Sequence, residues 1–178
     1  MPAALIRTFP LLCALLLAPE PTPPAPGSAP KPPAPNFYAT PIGASISLES
    51  AKKVASVAAA EARKNSWLMA IAVVDPTGTL VYYEKADNTQ LGSARVAIDK
   101  ARSAALYKRP TKAFQDALAG GGVGQRVLKL EGAVPVEGGL PLLVEGRLVG
   151  AIGVSGDLSE HDGQCATAAA ASLKDAAR

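Results

Sequence analysis

Residues 67–85 read WLMAIAVVDPTGTLVYYEK, and this stretch decides the fold. Residues 67–75 are largely apolar and rich in β-branched types, Pro76-Thr77-Gly78 is turn chemistry, and residues 79–85 return to strand formers, so the whole predicts a β-hairpin. Before it, Leu48, Ala51, Val54, Ala55, Ala58 and Ala62 recur at helical spacing behind Ser47, a fitting N-cap, with Glu49 in the first turn. That predicts a helix over 47–65. After the hairpin, residues 91–107 form an Ala-rich helical pattern that Pro110 closes, and a short helix is expected over 112–118. Gly120-Gly121-Gly122-Val123-Gly124 follows, where no regular element is expected to persist. The remaining pattern is short strands at 126–130, 133–136, 140–144 and 147–154, the last two joined at Glu145-Gly146, and then a second Ala-rich helix over 159–177.

Hairpin connections between neighbouring strands make the sheet antiparallel. The expected class is α+β, an antiparallel β-sheet of about five strands with flanking helices. Alternating βαβ units are absent, which argues against a doubly wound nucleotide fold. The glycine loop at 120–124 lacks the Lys-Ser or Lys-Thr of a P-loop and follows a helix where a strand should stand, so it reads as a connector.

The chain divides into unlike parts. Twelve of its 16 prolines fall at or before Pro41. Arg7 followed by the apolar run FPLLCALLLA at 9–18 has the form of an export signal, too short to span a bilayer, and an uncleaved anchor is the other reading of the same run. The expected organisation is a signal peptide at 1–18, a Pro/Ala-rich linker at 19–46 and a folded domain at 47–178, periplasmic or secreted, with no stable membrane span once the signal is removed. Cys13 leaves with the signal, so Cys165 is the sole mature cysteine and an internal disulfide is excluded. Residues 47–178 carry 16 Lys and Arg against 14 Asp and Glu, and the full chain has eight aromatic residues. Neither a basic field nor a stacking platform for nucleic acid is available.

The segment EGGLPLLVEGRLVGAIGVSG at 137–156, followed by Glu160-His161-Asp162 and Cys165-Ala166, resembles the signature of the GlcG/HbpS-like family of haem-binding proteins. The hairpin turn Val74-Asp75-Pro76-Thr77-Gly78 and the helical stretch AIDKARSA at 97–104 are similar to that family too, in the same order. The resemblance spans about residues 48–173. It implies a profilin-like sheet with flanking helices, assembly into a homo-oligomer, and secreted members that bind haem and sometimes iron.

Haem calls for an apolar slot, cations for two propionates, and optionally an axial ligand. Arg95, Lys100, Arg102, Lys108, Arg109 and Lys112 lie within 18 residues, opposed only by Asp99. Such a group draws the carboxylates of haem or another anionic small molecule, and it equally serves as a solvated helix face. Tyr107 is an oxygen donor beside it, with core packing as its ordinary role. The resemblance implies a threonine from the central helical region as ligand in some relatives, and Thr111 matches that neighbourhood. His161, the sole histidine, is the candidate metal ligand, although its place between Glu160 and Asp162 at a helix start equally suits a surface or capping role. The glycines at 138–156 admit close backbone approach, with or without a ligand against them. Gly153-Val154-Ser155-Gly156-Asp157 lacks the second glycine of a nucleophile elbow, and one histidine leaves no spare base, so hydrolase chemistry has little support. The expected function is an exported haem-binding protein that sequesters or relays haem. The rivals are a non-enzymatic oligomeric sensor or partner-binding module, and an enzyme acting on haem or a small carboxylate.

Overall fold

The computed structural model describes residues 36–175. The expected signal peptide and the linker up to residue 35 lie outside the described residues. Helix α1 (Leu48–Lys64) leads into strands β1 (Ala70–Val74) and β2 (Leu80–Lys85), then helices α2 (Ser93–Leu106) and α3 (Lys112–Ala119). A 3-10 helix (Gly122–Lys129) precedes strands β3 (Gly139–Val144) and β4 (Arg147–Ser155), and helix α4 (Ser159–Asp175) ends the series. The strands form one antiparallel sheet in the order β2-β1-β4-β3. No helix among the described residues is long and apolar enough to cross a membrane.

Local chemistry explains the boundaries. Ser47 Oγ accepts the Ser50 N–H at 3.1 Å and caps α1 as the sequence predicts. In the β1–β2 turn, Asp75 Oδ1 accepts from the backbone N–H groups of Thr77 (2.8 Å) and Thr79 (3.0 Å), and Gly78 supplies the positive φ. Burial works against the Asp75 carboxylate, but the Thr77 hydroxyl, which donates to it at 2.7 Å, and then these backbone hydrogen bonds outweigh burial and hold its pKa below the ordinary value. At the β3–β4 turn both Glu145 and Gly146 have positive φ, the two-residue geometry that matches strand twist.

The two faces of the sheet differ in thickness. Ile71, Val73, Leu142, Ile152 and Val154 pack against Ala51, Val54, Ala55 and Ala58 of α1 and Cys165, Ala166 and Ala169 of α4. Ala70, Ala72 and Ala151 on the other face meet Ala97, Ala101 and Ala104 of α2. The Ala-Ile-Ala-Val alternation of β1 encodes this arrangement, since large side chains go to one face and methyl groups to the other. The alanines of the helices therefore serve the monomer core. Cys165 belongs to it, and burial pushes its thiol up to about 12, leaving an inert apolar side chain.

Three sequence expectations change. Four strands form where about five were expected, because residues 126–129 are in the 3-10 helix and 133–136 are irregular. Regular structure also resumes inside the glycine run, at Gly122. The end of the linker is folded: Leu148 N–H donates to the Pro41 carbonyl, Gly43 N–H to the Leu148 carbonyl and Ile46 N–H to the Val149 carbonyl, each at 2.8 Å. Ile42 pairs in parallel with Leu148, so this segment continues the sheet alongside β4 where β1 has already ended.

Candidate functional site

The turn between α2 and α3 builds the site. Lys108 has φ +53°, Pro110 precedes α3, and Thr111 is fully buried. Thr111 and Gly139 clamp each other: the Thr111 N–H donates to the Gly139 carbonyl and the Gly139 N–H donates to Thr111 Oγ1, both at 2.9 Å. This ties α3 to the start of β3. It also fills the Thr111 hydroxyl with a structural contact and turns it away from solvent. A Cβ at Gly139 would press on the Lys100 carbonyl and on the Thr111 methyl, so the second glycine of the Glu-Gly-Gly motif is required by that clamp.

Outside the clamp lies a cleft of about 540 Å³. Tyr107, Phe114, Val123 and Val127 supply its apolar lining, with Arg109 and Arg126 as its cations. The Arg109 guanidinium stands 4.6 Å from the Tyr38 ring centroid and 5.1 Å from that of Phe114. Tyr107 and Phe114 meet edge to face at 5.2 Å, and the Tyr107 hydroxyl donates to the Glu131 carbonyl at 2.6 Å. The 3-10 helix closes on α3 at Gly124, where any side chain would collide with the Ala117 carbonyl.

Of the candidate residues, the structure brings Tyr107 and Arg109 together on this cleft. Arg95 pairs with Asp99 at 3.0 Å and is three-quarters exposed. Arg102 donates from Nε to the Gly78 carbonyl at 3.2 Å. Neither lines the cleft. Lys108 reaches the Thr40 carbonyl at 2.9 Å, and Lys112 pairs with Asp116 at 2.8 Å. The basic group thus dissolves into separate local contacts, and only Arg109 of its six members faces the cleft. Arg126 takes the second position and was hidden by the expectation of a strand there. The spacing of Val123, Val127 and Leu130, at i, i+4 and i+7, was the available helical signal.

His161 stands elsewhere. Its Nδ1 lies 3.0 Å from Asp157 Oδ1, and its ring stacks on Trp67 at 4.0 Å with an interplanar angle of 11°. The Leu158 N–H first, and His161 second, hold the Asp157 carboxyl below its ordinary pKa. Among the described residues no group of three or more His, Cys, Asp or Glu side chains could hold a metal ion.

The Glu-His-Asp motif has a different use. Lys100 Nζ donates to Asp162 Oδ2 at 2.7 Å and to the Val154 carbonyl at 3.1 Å, with both side chains buried. The pair joins α2 on one face of the sheet to α4 on the other. Gly138, at φ +122°, passes so close that a Cβ would lie 2.8 Å from Asp162 Cβ and 2.9 Å from Lys100 Nζ. Burial pushes the Lys100 amine down and the Asp162 carboxyl up, and each partner draws the other back.

A profilin-like antiparallel sheet with flanking helices makes this an α+β domain, and an apolar cleft bearing two arginines opens beside it. Residues 46–171 match the family described as "Haem degrading protein HbpS-like", and the chain belongs to that family. It is 36% identical to the protein GlcG of Escherichia coli (strain K12) over 110 residues, covering 62% of this chain and 81% of that protein. A double mutant of Streptomyces reticuli HbpS superposes with a TM-score of 0.68 at 29% identity, over 83% of this chain and 99% of that one. The structure described as a PduOC:heme complex aligns with a TM-score of 0.65 at 26% identity, over 71% and 94% of the two chains.

Proposed function

We propose that this chain binds haem in the cleft between the end of α2, α3 and the 3-10 helix, and that it sequesters or relays haem outside the cytoplasm. The observation that carries the reading is the combination of apolar walls with Arg109 and Arg126 in a space of about 540 Å³, a size ordinary for ligand pockets. Guanidinium groups suit the two propionates, because each can bind a carboxylate with two parallel hydrogen bonds. Tyr38 and Tyr107 are the oxygen donors on the lining. A haem held there would supply iron redox chemistry, while the chain's own part is to bind it, orient it and shield one face from water. The described haem complex of PduOC supports the ligand class. The export-signal form of the sequence at 1–18 supports export, and the mass of the mature chain tests it. Exposed Leu91, Val96 and Leu106, on and beside α2, support a homo-oligomer.

Haem titration of the purified chain tests the ligand. A shifted Soret band saturating at one haem per chain is expected, and replacing Arg109 and Arg126 together with alanine should weaken uptake at least about tenfold, since a hydrogen bond to a charged group contributes about 1.5–3 kcal/mol. Unchanged affinity in the double variant would remove the cleft as the site. Loss of the band with release of iron would favour breakdown of haem, the activity in the family's description, over carriage.

A further inference from the structure

We propose a second ligand site, between the C-terminal half of α1 and the edge strand β2, that takes a small aromatic carboxylate. A cleft of about 240 Å³ lies there and shares no lining residue with the haem cleft. Met69 and Ile71, each 2% exposed, form its floor. Ala59 and Ala62 leave room on the helix side, and Trp67 contributes an indole. That ring is held by its stack on His161, 4.0 Å apart and nearly parallel, so this wall is preorganised for a flat partner. The volume lies below the roughly 300–1,000 Å³ that drug-sized ligands occupy, which limits the occupant to a small molecule and excludes a macrocycle.

Charge selects the head group. Arg63 and Lys85 stand on the lining, both exposed, and neither takes part in an ion pair among the described residues. Lys85 makes one long contact, 3.4 Å, to the Ala86 carbonyl. The single acidic residue of the lining, Glu84, accepts the Tyr82 hydroxyl at 2.9 Å. Arg63 meets the cleft from α1, while Lys85, the register partner of Ala70, flanks it from the sheet edge; against one engaged carboxylate these cations favour an anion, and the guanidinium fork of Arg63 favours a carboxylate. An apolar floor with a cationic rim therefore matches an aromatic body carrying one carboxylate, with the ring against Trp67 and Met69 and the head group at Arg63 and Lys85.

Phenylacetate is the probe, with 2-phenylethanol as its uncharged counterpart, and the full chain is the protein. Trp67 is the sole tryptophan, so its emission reports the wall directly. A saturable change is expected with phenylacetate at a Kd on the order of 1 mM or below, the range open to so small a ligand. The alcohol should bind at least about tenfold more weakly. R63A/K85A should weaken phenylacetate at least about tenfold while leaving the emission of the free protein and its haem titration unchanged, and amide shifts should concentrate in α1 and β2. The absence of saturation up to about 10 mM, equal binding of acid and alcohol, undiminished binding to the double variant, or shifts at Arg109 and Phe114 instead would each overturn the proposal.

Discussion

Replacing Asp162 with alanine is expected to lower the unfolding free energy by about 3–5 kcal/mol, because it leaves the Lys100 ammonium buried without its counter-charge. The Lys100 and Asp162 side chains are 1% and 3% exposed and 2.7 Å apart, so water cannot take over the lost contact. The Val154 carbonyl at 3.1 Å remains, but a neutral acceptor does not compensate a full charge. Against a total stability of roughly 5–15 kcal/mol this is a large fraction. Burial already pushes the Lys100 amine down, and removal of the carboxylate lowers it further. A lysine whose native pKa lies below its unfolded value binds fewer protons in the native state, so stability rises with pH between those two values. The deficit of the variant should therefore shrink as pH is raised from about 7 toward about 10. Denaturant unfolding at several pH values measures it. A loss under about 1 kcal/mol, or a deficit that grows with pH, would show that the pair is not the buried ionic link described. Lys100→Met combined with Asp162→Leu should recover most of the loss, since apolar replacement of both partners of a buried pair is often neutral or better.

The same pair positions the cleft that carries Arg109 and Phe114 without lining it. Lys100 and Asp162 pack against Gly138, and the next residue, Gly139, is clamped to Thr111 by two hydrogen bonds. Thr111 begins the turn into α3, which carries Phe114. Two residues before Thr111 stands Arg109. Loosening the ion pair thus loosens the Glu-Gly-Gly segment first and the cleft wall second. The family signature at 137–162 is therefore a structural assembly that presents the cleft from behind. Gly138 and Gly139 are explained by the close passage of neighbouring groups, and Asp162 by its buried ion pair with Lys100.

The hairpin at 67–85 was legible because turn chemistry and β-branched runs are local signals, and all four α-helices were legible because their apolar periodicity has no competing reading. The antiparallel sheet followed from the hairpins. What failed was long-range pairing. Six nearby cations look alike in a sequence, yet Lys100 finds a carboxylate 62 positions away and becomes one of the most buried side chains in the domain. Arg109 and Arg102, seven residues apart, end on different features because the chain turns at Lys108. The 3-10 helix was missed for a different reason: a glycine run suggested a connector and concealed the helical spacing of Val123, Val127 and Leu130. Arg63 was read correctly as part of the first helix, whereas Trp67 falls in the connection before β1 and not in the strand, and no local pattern announces that a helix end and an edge strand enclose a second cleft.

Gly153→Ala should be as damaging as the loss of Asp162, although it adds only a methyl group. Gly153 lies in β4, paired with Ala72 of β1 and Gly139 of β3, and its missing side chain faces α2. A Cβ there would run into the Ala97 carbonyl oxygen and come within 2.5 Å of the Ala101 amide nitrogen. Both obstacles are backbone, so no rotamer change relieves them, and α2 must lift from the thin face of the sheet. Overpacking of a rigid core typically costs about 1–3 kcal/mol and occasionally more. Because the obstruction here is main chain on a helix, a loss of about 3 kcal/mol or above is expected. Trimming side chains on α2 cannot rescue the variant, which separates this cause from ordinary crowding. Gly92 is the control: a Cβ there meets nothing within 4 Å and its φ of −64° is already helical, so Gly92→Ala should be neutral or stabilising by up to about 1 kcal/mol. Thermal unfolding of the two variants side by side decides the matter, and equal stability would mean that α2 does not lie on the sheet through Gly153.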